Sequence, residues 1–121
     1  MSRLPPVVHA SATVADTATL GPGTVVLAGA VVGAGTQVGA NVIVNTGAVV
    51  DHDCVLEDHV HIASGATLGG GVHVSHGAHV GLGASVIQGR RIGELAVVGA
   101  GAVVIRDVAQ GTTVVGVPAR S

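Results

Sequence analysis

Histidine is the residue type in this chain best suited to acid–base chemistry near neutral pH, and seven are present against five lysines and arginines. One of them, His52, lies between two carboxylates in the run Asp51–Asp53. A neutral imidazole can accept a proton from an attacking amine or hydroxyl, which is typically worth about 10²- to 10⁴-fold in rate. His52 is therefore the candidate general base, and a solvated turn histidine is the alternative. The roles of His73, His76 and His79 stay open.

Charge and composition argue against several other classes of protein. The formal net charge is −2, which provides no basic field to attract nucleic acid. No charged residue lies between Asp16 and Asp51, but Gly, Thr, Gln, Asn and Pro interrupt this stretch, so we expect no membrane span. The single cysteine, Cys54, excludes an intrachain disulfide and fits a reducing cytoplasm, which is the location we predict.

A six-residue repeat defines the elements that must position these side chains. The residue two before each repeated aliphatic is small in nearly every repeat, and Gly often follows the aliphatic. Small-x-aliphatic is the alternation of a short strand with two inward residues, and the Gly, Asn and Asp that come next favour a turn. The repeat therefore predicts a triangular prism of five to six coils, in which Cys54 fills the core rather than acting as a nucleophile. The repeated aliphatics are Val8, Val14, Leu20, Val26, Val32, Val38, Val44, Val50, Leu56, Ile62, Leu68, Val74, Val80, Val86, Ile92, Val98 and Val104.

The outward residue of each strand assigns it to one of three faces, A, B or C. Face A is apolar except for two stacked histidines, so we expect it to be buried against a neighbouring subunit. The turn between faces B and C, opposite face A, holds His52. In a cyclic trimer, His52 of one subunit would then lie near His61 or His79 of the next. Face A carries Val7, Val25, Ile43, His61, His79 and Val97; face B carries Thr13, Val31, Val49, Thr67, Ser85 and Val103; face C carries Thr19, Gln37, Val55, His73 and Arg91.

The repeat is disturbed near the C-terminus. Arg90 places a charge in a small inward slot, which predicts a local bulge at Gln88–Arg91. The aliphatic register ends after Val104. We therefore divide the single domain into a β-helix over residues 1–105 and a capping segment over residues 106–121.

These repeats resemble the hexapeptide-repeat acyltransferases, which are trimeric left-handed β-helices. The segment Asn45–Gly70, NTGAVVDHDCVLEDHVHIASGATLGG, is similar to the sialic acid O-acetyltransferase family, which includes the UDP-4-amino-sugar N-acetyltransferases. The ending Val114–Arg120, VVGVPAR, resembles the closing motif of members that use acetyl-CoA. Such relatives usually carry an N-terminal Rossmann-like domain that helps to bind the nucleotide-sugar, whereas here the repeat begins directly after Met1–Pro6.

The resemblance implies both a fold and an activity. The fold is an all-β, single-stranded left-handed parallel β-helix. The activity is acetyl-CoA-dependent O- or N-acetylation of a sugar or nucleotide-sugar by a homotrimer whose active sites lie between subunits. Acetyl-CoA is the co-substrate, and neither a permanently bound cofactor nor a metal is implied.

The resemblance also implies roles for individual residues. His52 matches the family's general base, and Asp53 stands where related sugar N-acetyltransferases carry Glu beside that base. His61 matches a second active-site histidine near the acyl donor. Gly70 matches a glycine whose backbone N–H faces the thioester carbonyl. The backbone that lines the pantetheine groove is matched by two stacked turns, Gly81–Leu82 and Gly99–Ala100.

Three alternatives stay open. A zinc carbonic anhydrase shares this prism, but the histidines here lack the spacing of its metal ligands. A non-catalytic structural or assembly module is the second alternative. The third alternative is that an acyl carrier protein is the acyl donor, because the HDC run also resembles the base motif of the lipid A acyltransferases. The GVPAR ending favours coenzyme A as the donor.

Overall fold

Each six-residue repeat forms one two-residue strand and one turn in the computed structural model, which describes residues 4–121. The strands assemble into three parallel sheets, one for each face of the prism. Face A consists of β1 (Val7–Val8), β4 (Val25–Val26), β7 (Ile43–Val44), β10 (His61–Ile62), β13 (His79–Val80), β16 (Val97–Val98) and β18 (Thr113–Val114). Face B consists of β2 (Thr13–Val14), β5 (Val31–Val32), β8 (Val49–Val50), β11 (Thr67–Leu68), β14 (Ser85–Val86) and β17 (Val103–Val104). Face C consists of β3 (Thr19–Leu20), β6 (Gln37–Val38), β9 (Val55–Leu56), β12 (His73–Val74) and β15 (Arg91–Ile92).

The register between coils matches the predicted face assignment. His61 pairs with Ile43 on one side and with His79 on the other, so residues one coil apart lie directly above one another. Backbone hydrogen bonds join the coils, as where His61 N donates to Ala78 O at 3.1 Å. The predicted all-β, left-handed parallel β-helix is confirmed. Among the described residues, no helix is long and apolar enough to cross a membrane.

The corners of the prism use a left-handed backbone conformation. From Gly23 to Gly101 every sixth residue has a positive φ, and most of these residues are glycine. The exceptions include Asn41 and Asp53, with φ of 54° and 57°. Asn and Asp tolerate this conformation better than other side chains do, because they can hydrogen-bond locally. The turn beside His52 therefore carries Asp53 at a position where the backbone favours glycine.

The core is a thin column of small and medium aliphatic side chains with two buried threonines. Thr24 and Thr36 occupy small inward slots and are fully buried. Thr36 Oγ1 donates to Asp51 O at 2.9 Å and accepts from Cys54 N at 3.2 Å. Thr24 makes the equivalent pair of bonds two corners earlier, to the turn around Asn41. Both hydroxyls thus satisfy backbone groups that the prism leaves unpaired at its corners.

The predicted bulge at Gln88–Arg91 is wrong. Gly89 adopts the usual turn conformation, and β15 pairs with β12 in the regular register. The irregularity lies in the next coil, where Ile92 pairs with Val108, so this coil is shorter than the others. The shortened coil leaves the Arg90 side chain 37 % exposed, with Nε 3.9 Å from Asp107 Oδ1. The Arg90 side chain thus has room because the next coil is shorter, and its own strand keeps the regular register.

The C-terminal residues continue the prism before they fold back. β18 adds a last strand to face A beside β16. Val115 and Arg120 then form an antiparallel bridge, and Ala119 N donates to Val103 O at 2.8 Å. The division of the domain at residues 105 and 106 stays a prediction.

Replacing either buried threonine by valine should destabilise the protein although valine is the more apolar residue. Thr36→Val and Thr24→Val each leave a buried carbonyl and N–H without their partner, which costs about 1–3 kcal/mol. Chemical unfolding measures this loss. Thr67→Val, on the exposed side of face B, is the control and should change the free energy of unfolding by less than about 0.5 kcal/mol. Equal effects of all three substitutions would contradict this account of the core.

Candidate active site

His52 and Asp53 form a paired unit at the corner between faces B and C. His52 Nδ1 lies 3.0 Å from Asp53 Oδ2, and both side chains are largely exposed. The backbone N–H of His52 donates to Asp51 Oδ1 at 2.7 Å, so the second aspartate holds the turn itself. When Nδ1 carries the proton and donates it to Asp53, Nε2 keeps a free lone pair. The arrangement therefore orients the imidazole as a base.

The two aspartates also set the protonation behaviour of His52. The hydrogen bond to Asp53 raises the pKa of His52 above its usual value, and the negative charge of Asp51 raises it further. The carboxylates favour the imidazolium form, since an opposite charge nearby stabilises the protonated ring. His52 is thus a stronger base than an isolated histidine, and it loses its proton at a higher pH.

Residues of the neighbouring coils surround this corner. Gly70 lies in the same column as His52 one coil later, with the imidazole directly against it. Gly35 lies one coil before Asp53, against its carboxylate. From inside the prism, Thr36 binds the backbone on both sides of the turn, and Cys54 Sγ donates to Gly69 O at 3.3 Å. Burial raises the pKa of the Cys54 thiol, which agrees with a core residue rather than a nucleophile.

The second predicted histidine lies on a different side of the prism. His61 is on face A, where its ring packs edge-on against His79 with centroids 4.7 Å apart. Asn45 Nδ2 donates to His61 Nε2 at 3.4 Å. Burial lowers the pKa of His61, and the neighbouring His79 lowers it further, so the neutral ring is favoured over the imidazolium. Within one chain, His52 and His61 occupy a corner and the face opposite to it.

The predicted groove residues form a third group at the corner between faces A and B. Gly81 packs so closely on the backbone of the next coil that a Cβ there would lie 2.8 Å from Ala100 N. Gly101 N donates to Leu82 O at 2.8 Å, which fixes the spacing of the two turns. Gly81 is buried, whereas Leu82 is exposed and provides an apolar edge. One chain thus brings together His52, Asp53 and Gly70, but neither His61 nor the two stacked turns.

Sequence reasoning missed two groups of polar contacts. Gly35 and Thr36 lie one coil before the His52 turn, and counting back by the length of a coil would have found both. On face C, Glu57 pairs with His73, and this hydrogen bond lowers the pKa of the Glu57 carboxyl. His76, on the next corner, has its ring 5.2 Å from that of His59. These contacts join neighbouring coils.

Cavities of about 260 and 240 Å³ lie at the C-terminal end of the prism. Arg106 and Arg120 line both of them, whereas His52 and His61 line neither. Among residues 4–121, no cluster of three or more His, Cys, Asp or Glu is arranged to hold a metal ion. A flat-sided prism offers a concave site only at its ends or against another molecule, which accounts for the distance between the cavities and the histidines.

Comparison with known proteins identifies the repeat. Residues 35–70 match the family of bacterial transferase hexapeptide proteins, described as six repeats. No curated protein matches the chain. The predicted resemblance to hexapeptide-repeat acyltransferases is supported further by solved structures.

Two solved structures share much of the sequence as well as the fold. The acetyltransferase domain of PglB from Neisseria gonorrhoeae is 45% identical, with a TM-score of 0.96, over 97% of this chain and 57% of that chain. It has also been solved in complex with acetyl coenzyme A. The GDP-perosamine N-acetyl transferase of Caulobacter crescentus, as a histidine-to-alanine variant with CoA and GDP-perosamine, is 44% identical, with a TM-score of 0.95, over 97% of this chain and 56% of that chain. The chain therefore spans little more than half the length of these relatives.

A more distant structure supports the fold alone. The N-acyltransferase AntD from Bacillus cereus is 14% identical, with a TM-score of 0.88, over 98% of this chain and 82% of that chain. At so low an identity the likeness reflects the repeated prism and not its chemistry. Taken together, the matches confirm the predicted resemblance to hexapeptide-repeat acyltransferases.

Removing the charge of Asp53 should lower the pKa of His52. In Asp53→Asn the hydrogen bond to the carboxylate, the strongest contribution to the raised pKa, is replaced by at most a weaker bond to a neutral amide oxygen, while the charge of Asp51 remains. The midpoint of the His52 titration should therefore move to lower pH. NMR titration of the imidazole Cε1–H resonances measures this shift. Glu94→Gln, which removes an exposed negative charge at another corner of the prism, is the control and should leave the His52 midpoint unchanged. An unchanged His52 midpoint would show that the 3.0 Å contact does not persist in solution.

Proposed function

We propose that this hexapeptide-repeat protein is an acetyltransferase that transfers the acetyl group of acetyl-CoA to an amine or hydroxyl of a sugar or nucleotide-sugar. The observation that carries the proposal is the His52–Asp53 pair, which leaves Nε2 of His52 free beside Gly70. The similarity to acetyltransferases that bind acetyl coenzyme A or CoA supports the donor. The GDP-perosamine in one of these relatives supports the class of acceptor. A cytoplasmic location stays a prediction.

The proposed reaction is a direct transfer. The nitrogen or oxygen of the acceptor attacks the thioester carbonyl carbon with its lone pair, and His52 Nε2 takes the proton that this atom loses. The carbon–sulfur bond then breaks, and the imidazolium returns the proton to the departing coenzyme A thiolate. The backbone N–H of Gly70 donates to the oxyanion that forms, a contribution of roughly 3 kcal/mol. No covalent enzyme intermediate is required, since the thioester is already activated and binding supplies proximity.

The remaining predicted residues hold the donor. His61 contacts the acyl end. Its lowered pKa favours the neutral ring, which makes it a weaker competitor than His52 for the proton of the acceptor. Gly81, Leu82, Gly99 and Ala100 line the pantetheine arm. Their turns stack in successive coils, so the backbone follows one edge of the prism. Arg106 and Arg120, which line common cavities, are the cations available near the C-terminal end for the coenzyme phosphates.

A complete site requires a second copy of the chain. His52 lies at the corner opposite face A, whereas His61 lies on face A. On that face Ile43 and Val97 are 38% and 37% exposed, so the strip beside His61 and His79 is apolar and uncovered in the single chain. Packing the His52 corner of one prism beside face A of the next would cover this strip and bring the histidines together. A cyclic homotrimer repeats that contact three times, in keeping with closed symmetry.

Loss of the base should abolish most of the activity. His52→Ala should lower kcat by about 10²- to 10⁴-fold with acetyl-CoA and a panel of amino sugars, sugars and nucleotide-sugars, because proton removal is lost. Release of the coenzyme A thiol measures the rate. His76→Gln, which changes an exposed histidine at another corner, is the control and should retain the rate of the unmodified protein. Full activity in His52→Ala would refute the mechanism. No turnover of any acceptor by the unmodified protein would favour an assembly module.

The shared site can be tested by mixing two inactive variants. His52→Ala and His61→Ala should each be nearly inactive alone, but subunit exchange should restore about a quarter of the sites, since some interfaces then receive both intact histidines. The activity of the mixture and its mass by light scattering are measured together. A sample of His52→Ala alone, taken through the same subunit exchange, is the control and should stay nearly inactive. No recovery in a mixed trimer, or a monomeric mass, would contradict a site between subunits.

A further inference from the structure

We propose that Gly35 and Gly70 are positioning residues for the His52–Asp53 pair, Gly70 by seating the imidazole and Gly35 by seating the carboxylate. The proposal rests on the proposed function of His52 as general base. The two glycines belong to the coils on either side of the His52 turn. The His52–Asp53 pair thus lies between two glycines, neither of which has a side chain that would occupy its space.

At Gly70 the missing side chain makes room for the imidazole ring. A Cβ at this position would lie 2.6 Å from both Cε1 and Nε2 of His52. Gly70 does not have a positive φ, so its backbone does not require glycine. The same turn position holds Ala34 and Gln88 in other coils, which shows that the corner itself accepts a side chain. The histidine ring is therefore the feature that a side chain at position 70 would displace.

At Gly35 the missing side chain makes room for the carboxylate. A Cβ there would lie 2.3 Å from Asp53 Oδ1, closer than any non-bonded contact allows. The other oxygen of the same carboxylate, Oδ2, is the acceptor for His52 Nδ1. Displacing Oδ1 must turn or lift the carboxylate, so Oδ2 moves as well. A side chain at position 35 would therefore reach His52 only through Asp53.

The backbone cannot easily yield to relieve these contacts. Asp53 N donates to Ala34 O at 2.8 Å, and Gly71 N donates to His52 O at 3.0 Å, so the turn is bonded to the coils on both sides. Gly35 N donates to Thr17 Oγ1 at 3.0 Å, which holds Gly35 itself in place. Inside the prism, Thr36 binds Asp51 O and Cys54 N across the same turn. The exposed side chains of the pair must then move instead.

The chain offers a closely matched control for the test at Gly35. Gly35 and Gly89 both have φ of 72° and lie at the same corner of the prism, so alanine strains the backbone equally at each. A Cβ at Gly89 meets nothing within 4 Å. The comparison of Gly35→Ala with Gly89→Ala therefore separates contact with Asp53 from backbone strain. Thermal unfolding should show similar losses of stability in the two variants.

The first measurement needs no turnover. In Gly35→Ala the NMR titration midpoint of His52 should fall towards that of an unpaired histidine, whereas Gly89→Ala should leave it unchanged. In an Asp53→Ala background, Gly35→Ala should have no further effect on this midpoint, because the side chain that it displaces is gone. Equal His52 midpoints in Gly35→Ala and Gly89→Ala would overturn the proposal, whether or not the protein acetylates any acceptor.

The second measurement follows the reaction. Gly35→Ala should lower kcat by about 10- to 100-fold with little change in KM for acetyl-CoA, since misplacing a catalytic group by about 1 Å costs this much. Gly89→Ala should retain kcat. If Gly35→Ala does not fold, Gly70→Ala carries the test, because it adds no backbone strain and should alter both the His52 resonance and kcat. An unaltered His52 resonance in Gly70→Ala would contradict the proposal that Gly70 positions the imidazole.

Discussion

The stacking of each residue on its counterpart one coil away is the constraint on which the rest of the structure depends. Backbone hydrogen bonds fix this register along all three faces, so neighbours in space are set by arithmetic along the chain. A one-residue slip would exchange inward and outward side chains throughout a strand. The core tolerates no such exchange, because the prism is too thin to bury the outward residues. The same register therefore fixes both stability and the neighbours of every outward group.

The consequences of this register are clearest at the His52 corner. Asp53 adopts a left-handed conformation that glycine takes at most other corners, a local cost of about 1 kcal/mol or more for a residue with a side chain. This conformation places the Asp53 carboxylate beside the imidazole, and Gly35 and Gly70 of the adjoining coils leave space for the two side chains. A base with a raised pKa is thus assembled at an exposed site without burying a charge. Exposed groups keep their hydration, so the pairing carries little desolvation penalty.

The rigidity that builds this corner also limits what one chain can achieve. Three flat sheets present their outward residues in three different directions, so groups on opposite sides cannot converge. His52 with Asp53, His61 with His79, and the stacked turns at Gly81 and Gly99 remain separate within the chain. This separation supports a site formed between copies, because the apolar strip of face A gives the prism a surface to bury. The flat faces also account for the position of the cavities, because a concave surface arises only at the end of the prism, where the last coil is shorter.

The sequence by itself determined the fold, the assignment of residues to faces and the candidate base. These follow from local regularities: a strict six-residue period, an inward–outward alternation and a histidine between two aspartates. It misjudged Arg90, because the bulge inferred from a charge in a small slot ignored the coil above, which is shorter and leaves the side chain an exit. It also overlooked Gly35 and Thr36, whose importance depends on contacts between coils.

Only the tertiary structure decided that the shorter Asp53 side chain reaches His52, that the imidazole lies against Gly70, and that a buried hydroxyl ties the turn from within. The reason is physical. Periodicity fixes which residues are stacked, whereas side-chain direction and the last few tenths of an ångström depend on packing between coils.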